Sequence, residues 1–512
     1  MKKFCVFFLL VGAVSMLMAQ KLQKTALTID DLKMSLFSAT VYGSLYGFGA
    51  DENNYYVYCD VRSTYQGAWD VKYLHWGKNQ DSYFVINKKF STVTRYVVME
   101  NKDDRFLKIT LADDDVVILV ARNQKEQQKT QIIKQTYAKT TGKLKKETVI
   151  ASFPKSKSEH WYFYSSASPD KTKNAFMFMT TNKNNADGYY VAVLDETYNM
   201  EWNSEYDLEL SNNTFSTKDF TITDKGEIYI AFVSYPKTKS KESYIDLVYL
   251  AENEQDKMSI PIEKYHFAEL RLKPLKSGDV YLAALFSNNK TYAGEFYSLK
   301  LNGKNFNDGG SHTKEITEKN IRVPINRNYS YHLEIMSILE LDNGNIAVIC
   351  EQGFTLMIVS NNMASYQKAR GSVTTFFVNG SDASIEDVSV MSKTQICGMT
   401  YDIDARKVGG SISPFVYGNK VAYLFNDSFK KYAFPAKYKE NKKVQYPDLK
   451  CKDVSLVLST QESGEKAKID VLTGKTETAG RMFRQILFRE NDRLILLTRD
   501  KKGGYIETLS LP

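Results

Sequence analysis

Residues that commonly build catalytic and metal sites are scarce in this 512-residue sequence. No H-x-H or H-E-x-x-H pattern occurs, so a metal site within one short segment is not expected. No G-x-S-x-G motif provides an elbow-type serine nucleophile. We therefore predict no catalytic, cofactor-binding or metal-binding residues and no cofactor, and the sequence leans away from an enzyme. The five histidines are His75, His160, His266, His312 and His332.

Cysteine is equally sparse, with five residues and no C-x-x-C pair. Cys5 precedes the mature chain predicted below. Cys59 and Cys350 each end an apolar strand pattern, YYVYC and NIAVIC, which favours free buried thiols. The four mature cysteines also include Cys397 and Cys451. Disulfides among the four remain an alternative, because the oxidising environment of an exported protein permits them.

Two further patterns resemble sites but have simpler interpretations. The acidic run Asp113-Asp114-Asp115 lacks the D-x-[DN]-x-[DN]-G order of a calcium loop, and we predict a hairpin turn there. His75, in WDVKYLHW, alternates with Tyr73 along a strand and is predicted to lie on a sheet face rather than to bind a metal.

Long apolar runs are absent except at the start of the chain. Lys2 and Lys3 precede an apolar run over 4–18, and the small Ala19 precedes a polar segment, which is the layout of a secretory signal peptide. We predict cleavage after Ala19 and export to the periplasm, the outer surface or the exterior. No later run reaches the ~20 residues of a spanning helix, so we predict no transmembrane segment in the mature chain. The net charge of +8 is too mild to indicate nucleic acid.

Aromatic residues are abundant, with 34 Tyr and 28 Phe against 10 Pro, a bias that favours strands. A hairpin pattern of two apolar strands around a polar turn recurs about every 50 to 75 residues, which indicates a repeat architecture. The eight hairpins cover 45–59, 106–121, 164–179, 219–233, 269–285, 335–350, 414–425 and 483–498.

Further strand patterns follow most hairpins, so each repeat is predicted to hold four antiparallel strands, as in a propeller blade. Segments 189–202, 243–253, 295–306 and 355–368 are predicted to supply third and fourth strands. The sequence predicts an all-β propeller of seven or eight blades, seven if the weakest repeat, around 411–426, is irregular. Residues 20–512 are predicted to form one domain, because one blade cannot bury both its faces alone.

Ring closure is predicted from the two ends of the chain. The eighth hairpin is followed by only one more strand pattern, GYIETLSLP, so its blade lacks a fourth strand. A stretch within Leu22 to Val41, which precedes the first hairpin, is predicted to supply this fourth strand. Pairing of the N- and C-terminal strands would close the ring and cover an open edge.

Two lysine-rich stretches, 123–148 and 436–452, have a composition that suits an anionic ligand. The first alternates Thr, Ile and Tyr with charge, and we interpret it as an outer hairpin whose charges protect a sheet edge. The second is interpreted as a long inter-strand loop, a place where propellers also contact partners.

The segment YSSASPDKTKNAFMFM (164–179) raises the question of whether Ser168-Pro169-Asp170 has a chemical role. Proline presets φ, and aspartate accepts hydrogen bonds from backbone amides two residues on, so we predict a turn between two strands. The segment resembles the Ser-Pro-Asp turn of Tol-type propeller repeats, in this blade only.

Several segments together resemble a family of uncharacterised secreted propeller-like proteins of the Bacteroidota. These are SPDKTKNAFMF, LDETYNMEW, ILELDNGNIAVICEQ and VYGNKVAYLFND. The resemblance runs over most of the mature chain and implies a secreted propeller-like fold. Because no activity is known for the family, it implies no functional residues.

Two classes of function remain open at this stage. The first is a binding or scaffold module of the cell envelope for an unidentified protein or glycan, which we favour, as a monomer without nucleic acid. The second is a glycan hydrolase or lyase, which needs a pair of carboxylates or a histidine-tyrosine site at the channel mouth.

Overall fold

The structure is a computed structural model in which every regular element is a β-strand, over the residues that it describes. No helix within this part of the chain is long and apolar enough to cross a membrane. The described residues are 23–28, 44–60, 82–99, 101, 103–124, 126–127, 129–154, 161–182, 185–206, 213–236, 243–262, 266–287, 294–302, 306–316, 330–360, 363–391, 393, 395–400, 412–428, 454–472, 482–499 and 504–511.

The strands form eight antiparallel sheets that follow the chain. The first strand, β1 (Gln23–Thr28), belongs to the last sheet. Blade 1 contains β2 (Ser44–Ala50), β3 (Asn54–Asp60), β4 (Ser82–Asn87) and β5 (Val93–Val97). Blade 2 contains β6 (Asp104–Ala112), β7 (Asp115–Gln124), β8 (Lys129–Ala138) and β9 (Leu144–Pro154). Blade 3 contains β10 (Trp161–Ala167), β11 (Lys173–Asn182), β12 (Asn185–Asp195) and β13 (Met200–Tyr206). Blade 4 contains β14 (Asn213–Ile222), β15 (Ile228–Pro236), β16 (Ser243–Ala251) and β17 (Glu254–Ile262).

The second half of the chain repeats this order. Blade 5 contains β18 (His266–Pro274), β19 (Val280–Ser287), β20 (Gly294–Asn302) and β21 (Asn307–Glu315). Blade 6 contains β22 (Ser330–Glu340), β23 (Ile346–Ser360), β24 (Met363–Val378), β25 (Ile385–Met391) and a fifth strand, β26 (Gln395–Thr400). Blade 7 contains β27 (Ser413–Tyr417), β28 (Lys420–Ser428), β29 (Val454–Gln461) and β30 (Lys468–Val471). Blade 8 contains β31 (Met482–Glu490), β32 (Arg493–Arg499), β33 (Gly504–Ser510) and β1.

The eight blades are arranged as a β-propeller, as the sequence predicted. First strands of neighbouring blades contact each other, for example β14 with β18, so they are the inner strands of the ring. All eight predicted hairpins are the first and second strands of a blade. The repeat around 411–426 is a regular part of blade 7, which fixes the number of blades at eight.

Side chains of the second strands fill the space between blades. In β15, Ile228, Ile230 and Phe232 pack against blade 3, while Tyr229 and its alternate neighbours Ala231 and Val233 pack against blade 5. Full burial of a Val, Ile or Phe side chain such as these contributes roughly 1.5–3 kcal/mol. Burial on both faces explains why these strands are nearly continuous apolar runs in the sequence.

The N-terminal strand closes the ring. β1 pairs antiparallel with β33, with Leu27 opposite Ile506 and Thr28 opposite Tyr505. Blades 8 and 1 share an apolar cluster that includes Tyr55 and Ile495. The predicted pairing of the two termini is confirmed.

Because consecutive strands alternate in direction, the ring has two unlike faces. The turns from first to second strand and from third to fourth strand lie on one face, which we call the turn face. Second strands end and third strands begin on the opposite face, where each blade also ends and the next begins; we call it the loop face.

Ser168-Pro169-Asp170 forms such a turn on the turn face, as predicted. The Lys171 amide donates to the Ser168 carbonyl oxygen at 3.0 Å, and the Thr172 amide donates to Asp170 Oδ1 at 2.9 Å. The hydrogen bond from the Ser168 hydroxyl is the largest influence that lowers the pKa of Asp170 to about 2. Asp113 and Asp114 likewise form the turn between β6 and β7.

One strand assignment from the sequence is wrong. The sequence predicts third and fourth strands over 355–368, but residues 355–360 continue the second strand, β23. The error has a physical reason, since the apolar pattern of this strand is interrupted by Glu351-Gln352 and then resumes. Stretch 123–148 lies mainly in β8 and β9, the outer hairpin of blade 2, as predicted. Segment 436–452 and His75 lie outside the described residues.

Candidate functional site

The strands that are separated by the longest stretches of sequence within a blade end and begin at the loop face. Residues 61–81 join β3 to β4, and residues 429–453 join β28 to β29, so both connections begin and end on this face. On the turn face the corresponding reversals are short, such as 113–114 in blade 2 and 418–419 in blade 7. Long connections on a rigid scaffold are where binding residues are most often found.

Blade 6 also projects from the loop face. β23 has 15 residues and β24 has 16, whereas β7 and β11, the longest second strands of the other blades, have 10 each. The pairing of β23 with β24 continues from Gly353 opposite Arg370 to Ser360 opposite Met363. At ~3.3 Å per residue this hairpin extends about 30 Å beyond Glu351. We call residues 353–370 together with β26, which pairs with β24, the arm.

Four charged side chains meet at the base of the arm. Lys393 Nζ lies 2.5 Å from Glu351 Oε1, and both side chains are completely buried, at 0% exposure. Arg370 Nη1 lies 2.5 Å from Glu334 Oε2, and Arg370 Nε lies 3.9 Å from Glu351 Oε2. The four residues come from β22, β23, β24 and the segment after β25, so this base cluster joins all the strands from which the arm extends.

The base cluster is better suited to positioning than to catalysis. Its formal charges cancel, and Glu351 and Lys393 have no access to a substrate in solvent. Burying charges costs several kcal/mol per ion, and mutual attraction offsets this only in good geometry, so the arrangement favours one orientation of the strands. Lys393 Nζ also lies 5.9 Å from the ring centroid of Phe425 in blade 7, which ties the arm's base to the next blade.

A second charged network lies in blade 2. Arg122 donates to both carboxylate oxygens of Asp104, at 2.5 and 2.9 Å, and to both of Glu147, at 3.2 and 2.7 Å. The Gln135 amide donates to the same two carboxylates. Hydrogen bonds to Asp104 and Glu147 raise the pKa of Arg122, and the bond from Arg122 lowers the pKa of Glu147. Both carboxylates are therefore held as hydrogen-bond acceptors of one guanidinium.

Carboxylates of two inner strands bind backbone of the next blade. Asp219 Oδ2 accepts from the Leu272 amide at 2.6 Å, and Glu269 Oε2 accepts from the Ile335 amide at 2.6 Å. Burial is the largest influence on Asp219 and raises its pKa. These two carboxylates hold blades 4, 5 and 6 together at the centre of the ring.

Lys108, on the inner strand of blade 2, plays a similar part. Its Nζ lies 3.4 Å from the Ser166 carbonyl oxygen of blade 3. Burial lowers the pKa of this amine to about 8. Lysine and carboxylate contacts of the inner strands thus serve the ring itself.

The histidines are placed as follows. His266 is the first residue of β18, and His332 is the third residue of β22, so both lie at the loop-face ends of adjacent inner strands. His312 lies on β21, an outer strand, and is exposed. His160, like His75, is outside the described residues. Within the described ranges, no three His, Cys, Asp or Glu side chains are grouped as a metal site requires.

Sequence reasoning predicted no site residues and missed the base cluster. Glu351 and Gln352 interrupt the apolar run IAVIC-EQ-GFTLMIV, and a polar pair inside a buried strand was the available signal. Arg370 and Lys393 gave no local signal, because they join Glu351 only through the fold. Cys350 is a buried free thiol, as predicted, and burial raises its pKa.

No family model matches this chain, and no curated protein matches it. Several solved structures are similar over much of its length. The β-propeller domain of the Trilobed protease from Pyrococcus furiosus is 12% identical, with 86% of this chain and 98% of that chain covered and a TM-score of 0.37. The polysaccharide lyase Uly1 is 9% identical, with 93% and 98% covered and a TM-score of 0.32. A protein of unknown function from Dyadobacter fermentans is 8% identical, with 73% and 95% covered and a TM-score of 0.33.

Proposed function

We propose that this chain is an exported propeller of the cell envelope that binds a protein or a glycan at its loop face. One observation carries the proposal: the strands that flank the longest stretches within a blade, and the arm of blade 6, all end on that face. The turn face instead has short reversals closed by their own hydrogen bonds. Binding residues are disproportionately found on connections that a rigid scaffold positions.

Export remains part of the proposal. It rests on the basic and apolar start of the chain and on the small Ala19, all outside the described residues. The base cluster supports the binding role, because a buried ion cluster gives the arm a fixed direction and lowers the entropy lost on binding.

The proposal is tested by capture from an envelope fraction with three forms of the mature protein. One is the wild type. The second replaces residues 354–369 by Asn-Gly, which joins the paired residues Gly353 and Arg370 with a two-residue turn. The third is Lys420→Ala, which removes an exposed ion pair with Glu462 on the turn face.

We expect mass spectrometry, or a glycan array for carbohydrate, to find the same ligand with the wild type and Lys420→Ala. The shortened arm should lower its recovery. Equal recovery with all three proteins would place binding away from the arm. Absence of any reproducible ligand, combined with turnover of a glycan, would replace the proposal by the alternative below.

The alternative is a glycan hydrolase or lyase. It is favoured by one observation, the position of His266 and of Tyr331-His332 at the loop-face ends of two adjacent inner strands. Histidine and tyrosine are suitable proton donors and acceptors for glycan cleavage. A glycan panel incubated with the wild type, His266→Ala and His332→Ala tests it, with product formed by the wild type and lost in both variants as the required result.

A further inference from the structure

Lys108 differs from Lys393, the buried lysine of the base cluster, in what surrounds its charge. Lys393 is neutralised by Glu351. Lys108 is half-buried in the middle of the inner strand β6, and its Nζ contacts a neutral group, the Ser166 carbonyl oxygen, at 3.4 Å. Burial lowers its pKa to about 8, and no described carboxylate forms an ion pair with it. An ammonium that is removed from water without a counter-charge is costly, and an anion would offset this cost.

Two hydroxyl groups follow this amine around the ring. Ser166, on β10 of blade 3, has a hydroxyl besides the carbonyl that contacts Lys108, and Ser166 Oγ lies 3.4 Å from Thr221 Oγ1 on β14 of blade 4. O–H···O hydrogen bonds usually measure about 2.5–3.0 Å, so this pair of hydroxyls is only weakly bonded. An ammonium has three donors, and the carbonyl contact uses one. The amine and the hydroxyls therefore retain donors for a ligand at the centre of the ring.

Carboxylates of the inner strands do not compete for this amine. β2 and β10, the inner strands of the two neighbouring blades, contain no charged residue. Each carboxylate on the described inner strands is bound by a cation or a backbone amide elsewhere; these are Asp104, Asp219, Glu269, Glu334, Glu340 and Glu490. Lys218, on β14, adds a second amine whose pKa burial lowers. The centre of the ring beside Lys108 therefore favours negative charge.

We propose that the Lys108 ammonium and the hydroxyls of Ser166 and Thr221 bind an oxyanion, which is a carboxylate, sulfate or phosphate group. The ammonium supplies the opposite charge, and the hydroxyls donate hydrogen bonds to the anion's oxygens. Such charge-assisted bonds are short and strong, and more so where water is partly excluded.

This anion site is separate from the arm. Ser166 and Thr221 are each the second-last residue of their strand, so the site lies towards the turn-face ends of β10 and β14. The anion is either a free ion or the acidic group of a glycan, because both present the same oxygens to the amine. The site does not depend on what binds at the loop face.

Equilibrium dialysis of the mature protein with isotope-labelled sulfate, phosphate and acetate tests the site, in chloride buffer of constant ionic strength at pH 7. We expect the wild type to bind at least one of these ions saturably, with one ion per chain. Lys108→Met keeps the length of the side chain and should weaken that binding about tenfold or more. Thr221→Val keeps the shape of the side chain and should weaken it a few-fold.

Lys466→Met is the matched control. It removes an exposed lysine from the outer reversal of blade 7 and should bind the ion like the wild type. Competition with an oligogalacturonate distinguishes the two sources of the anion. Displacement of the labelled ion assigns the site to an acidic glycan, and persistence of the labelled ion assigns it to a free ion.

Melting temperatures in chloride buffer establish that each variant is folded. If Lys108→Met is unfolded, Lys108→Gln removes the same charge and is expected to give the same loss of binding. The inference is overturned by a wild type that binds none of the three ions saturably, or by a folded Lys108 variant that binds like the wild type. Capture of a ligand through the arm would be unaffected by either result, so the proposed function is tested separately.

Discussion

The two faces of this propeller are held by different kinds of interaction. On the turn face, short-range hydrogen bonds close each reversal, as where Asp51 Oδ1 accepts from the amides of Asn53 and Asn54 at 2.9 and 2.8 Å. Towards the loop face, side chains distant in sequence meet, as where Lys393 binds Glu351 without any contact with solvent. The short reversals of the turn face are therefore closed by residues close in sequence, whereas the base of the arm is held by a buried pair that forms only when the blade has folded.

An exposed and a buried ion pair of this molecule are expected to contribute differently to its stability. On the turn face, Lys88 Nζ lies 2.6 Å from Glu490 Oε1 across the junction of blades 1 and 8, with side chains 29% and 32% exposed. Solvent screens that pair, so its net contribution is small. The pair of Glu351 and Lys393 is unscreened, so loss of one partner leaves a buried charge. Although the two ion pairs have similar N–O distances, we expect loss of the buried one to destabilise the protein more.

Removal of residues 20 to 38 should have the largest effect. It deletes β1, the strand that pairs with β33 and closes the ring. The edge of β33 would lose its partner, and blades 8 and 1 would no longer be joined through the N-terminal strand. We expect a sharp fall in melting temperature measured by calorimetry. Unchanged stability of the truncated protein would show that closure does not depend on this strand.

Lys393→Met should be the next most damaging change, although it alters a single side chain. It leaves the Glu351 carboxylate buried without its cation, at an expected cost of about 3–5 kcal/mol. Urea denaturation measures the loss. The double variant Glu351→Leu/Lys393→Met removes both charges and should recover most of the stability. A single variant within ~1 kcal/mol of the wild type would contradict the role of the cluster.

Gly380→Ala, a substitution on the turn face, should cause an intermediate loss of stability. A Cβ at this position would overlap the Gly344 carbonyl oxygen, a backbone atom that cannot move by itself. Gly278→Ala is the matched control, because it has φ +89 with nothing within 4 Å of the added atom. The control should cost roughly 1–2 kcal/mol from backbone strain alone. Urea midpoints should show a larger loss for Gly380→Ala, and the reverse order would be evidence against this packing.

Glu490→Gln should have the smallest effect, at most about 1 kcal/mol, because the pair is partly exposed. Burial raises the pKa of Glu490, but hydrogen bonds from Lys88 and Tyr55 outweigh it and lower the pKa overall. A lowered folded-state pKa contributes stability above the unfolded pKa of about 4.3, and this is lost as pH falls through the folded value. Urea midpoints of wild type and variant should therefore converge in acid. If the difference between the two urea midpoints stays the same or grows as the pH falls, the lowered pKa of Glu490 does not contribute to stability.

The eight hairpins, the Asp170 turn and the closing strand could be predicted from the sequence, because apolar periodicity and turn chemistry are local signals. The arm could not, since Glu351-Gln352 interrupts the pattern of β23 and makes one strand resemble two. The base cluster could not either, because Arg370 and Lys393 reach Glu351 only after the blade has formed. Export and the single-domain organisation stay predictions.

The central claim is that ligands bind at the loop face, and hydrogen exchange of the mature protein with and without its captured ligand tests it most directly. We expect slower exchange on binding in peptides that cover the arm, residues 353–370. Peptides that cover the turn at 168–173 should exchange at the same rate with and without ligand. Protection of the turn-face peptides, with no change in the arm or at the other loop-face strand ends, would contradict the account.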